Sequence, residues 1–380
     1  RPGQPGEGGP AEPDLGIIGG SSGDPNTTFG GGITFDSQNG DNAVLYDCLI
    51  LNNDANSNGN DSFGGGLYFG FGNKASSENS KPIAECIIKG NEAATGGGGV
   101  YFLADPTGST ETHVDFLNCS IIENEVAFGS QGAGVWFGQA GVVKFDNCEI
   151  GNNTAPGQSP DNLSKGGGIY AECPGGGRNC KVVLKNGTSV IGNSANYGAG
   201  LSINTASLEV ENCSVSNNMA EFGGGIYWFD SDAKIKGSTI KSNSSIYSID
   251  GSGGGLYCLG SSAEILDCII TDNSAGGSGG GVLFNGPYLN LNPQQTLKNC
   301  LIKENSAEVA GGGVASLGNS AVTITNCTVA DNNSLGEQYS VGGGLYCYNA
   351  FTEIKASIFW DNISNDGPQI AIGNPLEGDN

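Results

Sequence analysis

One block of residues returns along nearly the whole chain. Asp267–Phe284 reads DCIITDNSAGGSGGGVLF, the next copy reads NCLIKENSAEVAGGGVAS, an earlier one ECIIKGNEAATGGGGVYF and a later one NCTVADNNSLGEQYSVGGGLYC. Counting from the cysteine slot, an apolar residue follows two positions on and an asparagine five on. Those asparagines are Asn53, Asn91, Asn124, Asn153, Asn193, Asn218, Asn243, Asn273, Asn305, Asn332 and Asn362. Two positions later stands a small residue, from Ala55 to Ser364, once replaced by Val126. Gly-Gly-Gly or Gly-Ala-Gly then leads a short apolar-polar-apolar run, and a second alternating run such as LEVENC or VTITNC returns to the next slot. An internal repeat of this kind decides the architecture before length or domain priors are consulted.

Each unit holds several strands of three to five residues with period-two alternation, separated by turns. Such strands cannot bury an apolar face alone, but the same strand stacked from successive units makes a continuous parallel sheet and core. With right-handed crossovers the chain is predicted to be all-β, a right-handed parallel β-helix (β-solenoid) of about 11–12 coils, roughly 55 Å long at ~4.8 Å per coil. The asparagines are expected to form a ladder at one corner, the glycines to mark a corner of positive φ or close backbone approach. Thr188, Ser238 and Ser357 share the cysteine slot, which therefore asks for a small interior side chain.

The pattern resembles the polymorphic outer-membrane-protein type of β-helix repeat, whose signatures are GGA[ILV] and FxxN. The first appears here as Gly223-Gly224-Gly225-Ile226 and its counterparts, the second literally as Phe359-Trp360-Asp361-Asn362 and elsewhere with Ile or Val leading. The resemblance spans about residues 26–372. It implies an extracellular or surface-exposed protein acting in adhesion or as a structural stalk.

Composition narrows the function. A formal net charge of −24 leaves nothing to neutralise phosphates, so no nucleic-acid partner is expected. No apolar run reaches the roughly 18 residues of a membrane span. The chain holds two arginines, Arg1 and Arg178, and one histidine, His113. Catalytic triads, histidine metal clusters and the basic residue of a uronate lyase are correspondingly unsupported, and the expectation is a protein that is not an enzyme. Polysaccharide lyase or hydrolase chemistry is the rival class, because parallel β-helices also carry it.

Residues 1–13, RPGQPGEGGPAEP, read as an extended Pro/Gly-rich arm, residues 14–372 as the β-helix and 373–380 as a short tail. A start at Arg1 points to a processed form or a fragment. Neither end shows a capping helix, so head-to-tail self-association into a filament is expected, with the arm as a clasp. Insertions at 70–82, 103–113, 171–181 and 285–296 are expected to leave along one edge.

Three further groups invite a functional reading. The outward position after the glycines reads Tyr68, Tyr101, Trp136, Tyr170, Ser202, Tyr227, Tyr257, Leu283, Ala315, Tyr346. This aromatic stripe either stabilises neighbouring strands by stacking or offers a platform to glycans or another surface protein. Carboxylates stack at one corner as Asp272, Glu304, Asp331 and Asp361, and a divalent cation would relieve their repulsion; Asp54, Asn56 and Asn58 match the first half of a calcium loop, with Gly65 where its bidentate acid belongs. Calcium is thus the one cofactor the sequence suggests. Cys173 and Cys180 flank PGGGRN and are expected to pair, in keeping with an oxidising, extracellular compartment. Cys48, Cys86, Cys119, Cys148, Cys213, Cys268, Cys300 and Cys327 are expected to be buried and mostly unpaired. Asn-x-Ser/Thr sequons, including Asn26, Asn118, Asn186 and Asn326, recur with the repeat.

Overall fold

The computed structural model describes residues 16–18, 28–29, 31–35, 44–55, 62–70, 74–75, 82–103, 111–138, 140–157, 163–173, 180–245, 251–286, 294–336 and 340–373. Every element among them is a strand, and every pairing is parallel. The arm at 1–13, the last residues of the tail, and Asn26, Asn56 and Asn58 lie outside the described residues.

Three long sheets enclose the core. The first runs from Gly16–Ile18 through Cys48–Leu51 to Ile358–Trp360 and has 12 strands. The second, led by the glycines, runs from Ile33–Phe35 to Ile370–Ile372, also with 12 strands. The third, the return run, ends on Phe351–Lys355 and has 11. The chain passes each sheet once per coil, so the fold is the expected parallel β-helix.

Alternation explains the layering. In Ser207–Glu211, Leu208 and Val210 are buried while Glu209 and Glu211 look outward. Stacking repeats this in register, Leu208 on Ala233 and Val210 on Ile235. The interior is one continuous column of Ile, Val, Leu, Phe and Cys side chains.

The asparagine ladder closes the corner after the first sheet. Asn243 Nδ2 donates to Asn273 Oδ1 at 3.0 Å and to the Val215 carbonyl at 2.9 Å, and the backbone N–H of Asn243 donates to the same Oδ1 at 3.0 Å. The same set recurs in neighbouring coils, so these fully buried amides leave no donor unmet. The glycine triplet belongs to this corner too. Its first residue takes a positive φ (Gly279, 72°). A Cβ on its third, Gly281, would meet the Gly313 carbonyl oxygen at 2.6 Å and the Asn305 amide carbon at 3.1 Å. The second position tolerates a methyl group, as Ala133 and Ala199 show.

The cysteine slot asks for more than smallness. Cys268 Sγ donates to the Leu266 carbonyl at 3.1 Å, Ser238 Oγ to the Lys236 carbonyl at 2.9 Å, and the Cys213 N–H donates to Ser238 Oγ at 3.1 Å. The slot therefore holds a small donor that also accepts. Nine of the ten unpaired cysteines are buried, Cys258 and Cys347 among them; Cys48, near the first coil, is only half-buried.

Candidate functional site

The last coil differs from those before it. In the return sheet and the first sheet, the outward positions Ala321, Thr328 and Ala330 pair with Phe351, Ile358 and Trp360 of the final coil. These three are 69%, 59% and 69% exposed. Inward positions are uncovered as well: Ile354 continues a column in which Ile324 is sealed, and Ile372 stands beside buried Cys347. Ile363 is also exposed. The backbone edge, by contrast, is blunted at one corner. Pro368 and Gln369 replace the second and third glycines, and Pro368 has no N–H to offer a further strand. Gln369 Oε1 accepts from Asn362 Nδ2 at 2.7 Å, where a twelfth asparagine would otherwise sit.

The aromatic stripe stacks in register along the second sheet, Tyr68 on Tyr101 on Trp136 on Tyr170. Tyr101 and Trp136 lie 4.5 Å apart and nearly parallel, and Tyr227 meets Tyr257 edge-on at 5.3 Å. It is not an open platform. Tyr68, Tyr101, Tyr170, Tyr257 and Tyr346 are buried, because the residues just before each glycine triplet fold back over them. Phe63 covers Tyr101 at 4.7 Å, Tyr197 covers Tyr227 at 5.2 Å and Phe222 covers Tyr257 at 6.2 Å. Those covering positions recur in register too, Lys165 beside Tyr197 beside Phe222. Their spacing from the triplet was the signal in the sequence, masked by the varied loops that precede them. Among the aromatic members only Trp136 and Tyr227 keep partial exposure; the stripe is interrupted at Ser202, Leu283 and Ala315, and at Ser202 a cavity of about 330 Å³ opens.

The corner carboxylates have a backbone reason. Asp272, Glu304, Asp331 and Asp361 all take φ between 52° and 56°, a conformation that Asn and Asp tolerate best among side-chain-bearing residues. Lysines neutralise two of the four: Lys303 Nζ lies 2.9 Å from Glu304 and Lys241 Nζ 3.6 Å from Asp272. Asp54 pairs in a bridge with Glu92, away from that row. Burial, then the neighbouring Asp54 and Glu125 charges, push the Glu92 carboxyl up. Among the described residues no three His, Cys, Asp or Glu side chains converge as a metal would require. The sequon asparagines Asn118, Asn186 and Asn326 occupy the equivalent left-handed corner before the cysteine slot, and their amides are engaged along the rod, Asn118 Nδ2 donating to Glu85 at 2.6 Å and Asn186 Nδ2 to Asp146 at 2.8 Å. His113 is half-buried in the strand Thr112–Leu117, paired on both sides, with its Nε2 3.4 Å from Glu111. Cys173 and Cys180 are disulfide-bonded, with Cα atoms 5.5 Å apart. All four long insertions connect the second sheet to the third, so their flanks share one corner.

Residues 178–372, just over half of the chain, match the family described as right-handed β-helix region. The chain belongs to that family. No curated protein and no solved structure matches it. Membership explains why a β-helix repeat reads so clearly between Cys180 and Ile372, and it settles architecture rather than activity, since such scaffolds host unrelated functions. As a β-helix, the molecule offers two places whose chemistry departs from its repeat: the apolar final coil and the break in the aromatic stripe.

Proposed function

We propose that this β-helix is a non-catalytic structural protomer, secreted or displayed at a cell surface, that stacks end to end into filaments. The observation that carries the reading is the final coil, where Ala, Thr and Ala of the preceding coil give way to exposed Phe351, Ile358 and Trp360. Large apolar groups placed on outward positions are a signature of an interface. We take a second copy as the occupant: among the described residues, Gly16–Ile18 and Ile33–Phe35 each pair on one side only, which is the complement a stacked coil would use. Burying a few hundred Å² of apolar surface at about 25 cal/mol per Å² drives such contact, while the net charge of −24 opposes side-by-side packing. With Pro368 and Gln369 at the edge, side-chain burial rather than a continued amide ladder makes the joint. The repeat's likeness to polymorphic outer-membrane-protein repeats and the Cys173–Cys180 disulfide support the surface location.

Analytical ultracentrifugation and electron microscopy of the protein and of the double variant Ile358→Glu/Trp360→Glu test the reading. Concentration-dependent rods of increasing length, lost in the variant with its β-rich circular dichroism unchanged, are expected. A wild type that stays monomeric at high concentration overturns it.

A further inference from the structure

The break in the aromatic stripe is a built cavity. Ser202 stands between Tyr170 and Tyr227 in the ladder, so one ring of the stack is missing. The gap is lined by Leu163, Lys165, Tyr197, Ser202, Asn204, Tyr227 and Phe229, with a volume of about 330 Å³. Its walls are aromatic: the Tyr197 and Tyr227 rings meet at 71° with centroids 5.2 Å apart, and Phe229 is 42% exposed at the mouth.

Its floor is polar and incompletely satisfied. Asn204 Nδ2 donates to Glu172 Oε1 at 2.8 Å, and Tyr170 donates to the other Glu172 oxygen at 2.7 Å, so the amide turns its N–H toward Glu172. Asn204 Oδ1 is then buried without a donor. Lys165 rims the cavity with its Nζ 5.8 Å from the Tyr170 ring centre, and among the described residues no carboxylate lies within ion-pair distance of it. An aromatic wall and a polar floor with an unmet acceptor call for a ligand that has an apolar face and hydroxyls at its edge.

We propose that this cavity binds one ring of an uncharged pyranose glycan. The sugar's C–H face packs on Tyr227 and Tyr197, a hydroxyl donates toward Asn204 after a small turn of its amide, and Lys165 donates to a second hydroxyl. A phenyl ring would leave Asn204 Oδ1 unmet, and the acidic chain disfavours a polyanionic glycan. The inference does not depend on end-to-end stacking.

Titration calorimetry and saturation-transfer NMR with cellotriose and chitotriose, alongside trigalacturonate and p-cresol, test it on the full chain. At least one neutral trisaccharide is expected to bind more tightly than trigalacturonate or p-cresol. Ser202→Tyr restores the residue type that the stripe carries in adjacent coils, fills the gap and should abolish binding with melting unchanged. Tyr227→Leu should weaken it by about tenfold or more, as expected for a lost stacking partner. Neutral trisaccharides that fail to bind, binding that survives Ser202→Tyr, or a preference for p-cresol would each overturn the proposal, the last by marking a slot for aromatic side chains.

Discussion

At the scale of single residues, the asparagines and the slot cysteines carry most of the fold's specificity. Replacing Asn243 with Ala strands the Asn218 backbone N–H and amide and the Val215 carbonyl, all buried. At about 1–3 kcal/mol per unmet group, the cost should reach roughly 3 kcal/mol or more. Because each coil touches only its neighbours, hydrogen exchange should quicken in the coils around Asn243 and stay slow in distant ones. The thiols give a second check. Burial pushes Cys213 up to about 11, so it holds little thiolate near neutral pH, while Cys148 and Cys268, held lower chiefly by hydrogen bonds with Cys119 and Cys300, are shielded by burial instead. Native protein should take up little iodoacetamide, at most at half-buried Cys48, and denatured protein should take up ten equivalents without reduction. Rapid alkylation of the native rod at several sites would contradict the burial.

At the scale of the coil, the glycine triplet and the third-sheet ion pairs make separate predictions. Gly281→Ala forces a methyl group against the Gly313 carbonyl and the Asn305 amide, and should lower stability by about 1–3 kcal/mol in urea melts. In the third sheet Glu209 accepts from Lys181 at 2.6 Å and pairs with Lys185 at 3.1 Å. The Lys181 hydrogen bond leads in holding its carboxyl below the usual carboxylate range, against some burial. A lowered folded value means stabilisation present above the unfolded carboxylate pKa and lost as pH falls through the folded one. Glu209→Gln should therefore flatten part of the acid limb of the pH–melting curve and change little below it. The coil was legible in the sequence because interior slots admit few side chains: Asn for the ladder, Gly beside it, Ile or Val within. The cover over the aromatic stripe was not. Phe63, Tyr197 and Phe222 sit after loops of differing length and composition, so their shared row emerges only once strands fix the register. The left-handed corners were half legible, since Asp272 and Glu304 read as acids while their recurrence reflects φ rather than charge.

At the scale of the whole molecule, acidity and the apolar end compete. Like-charged rods repel over roughly a Debye length, about 10 Å at 0.1 M salt. Added salt should accordingly lengthen the proposed filaments, and light scattering that falls with salt would count against an apolar joint. The asparagine ladder adds something the charge count misses. From Asn53 to Asn332 every side-chain amide passes its N–H to the next carbonyl in the same sense, and Asn362 passes its own to Gln369. Amide dipoles aligned head to tail sum, as they do along a helix. The ladder thus carries a dipole along the rod's axis, positive toward the Gln369 end, separate from the net charge. Two rods meeting positive end to positive end would oppose these dipoles, whereas rods in a common direction would add them. A row of buried amides, present to close a corner, gives the solid a sense of up and down.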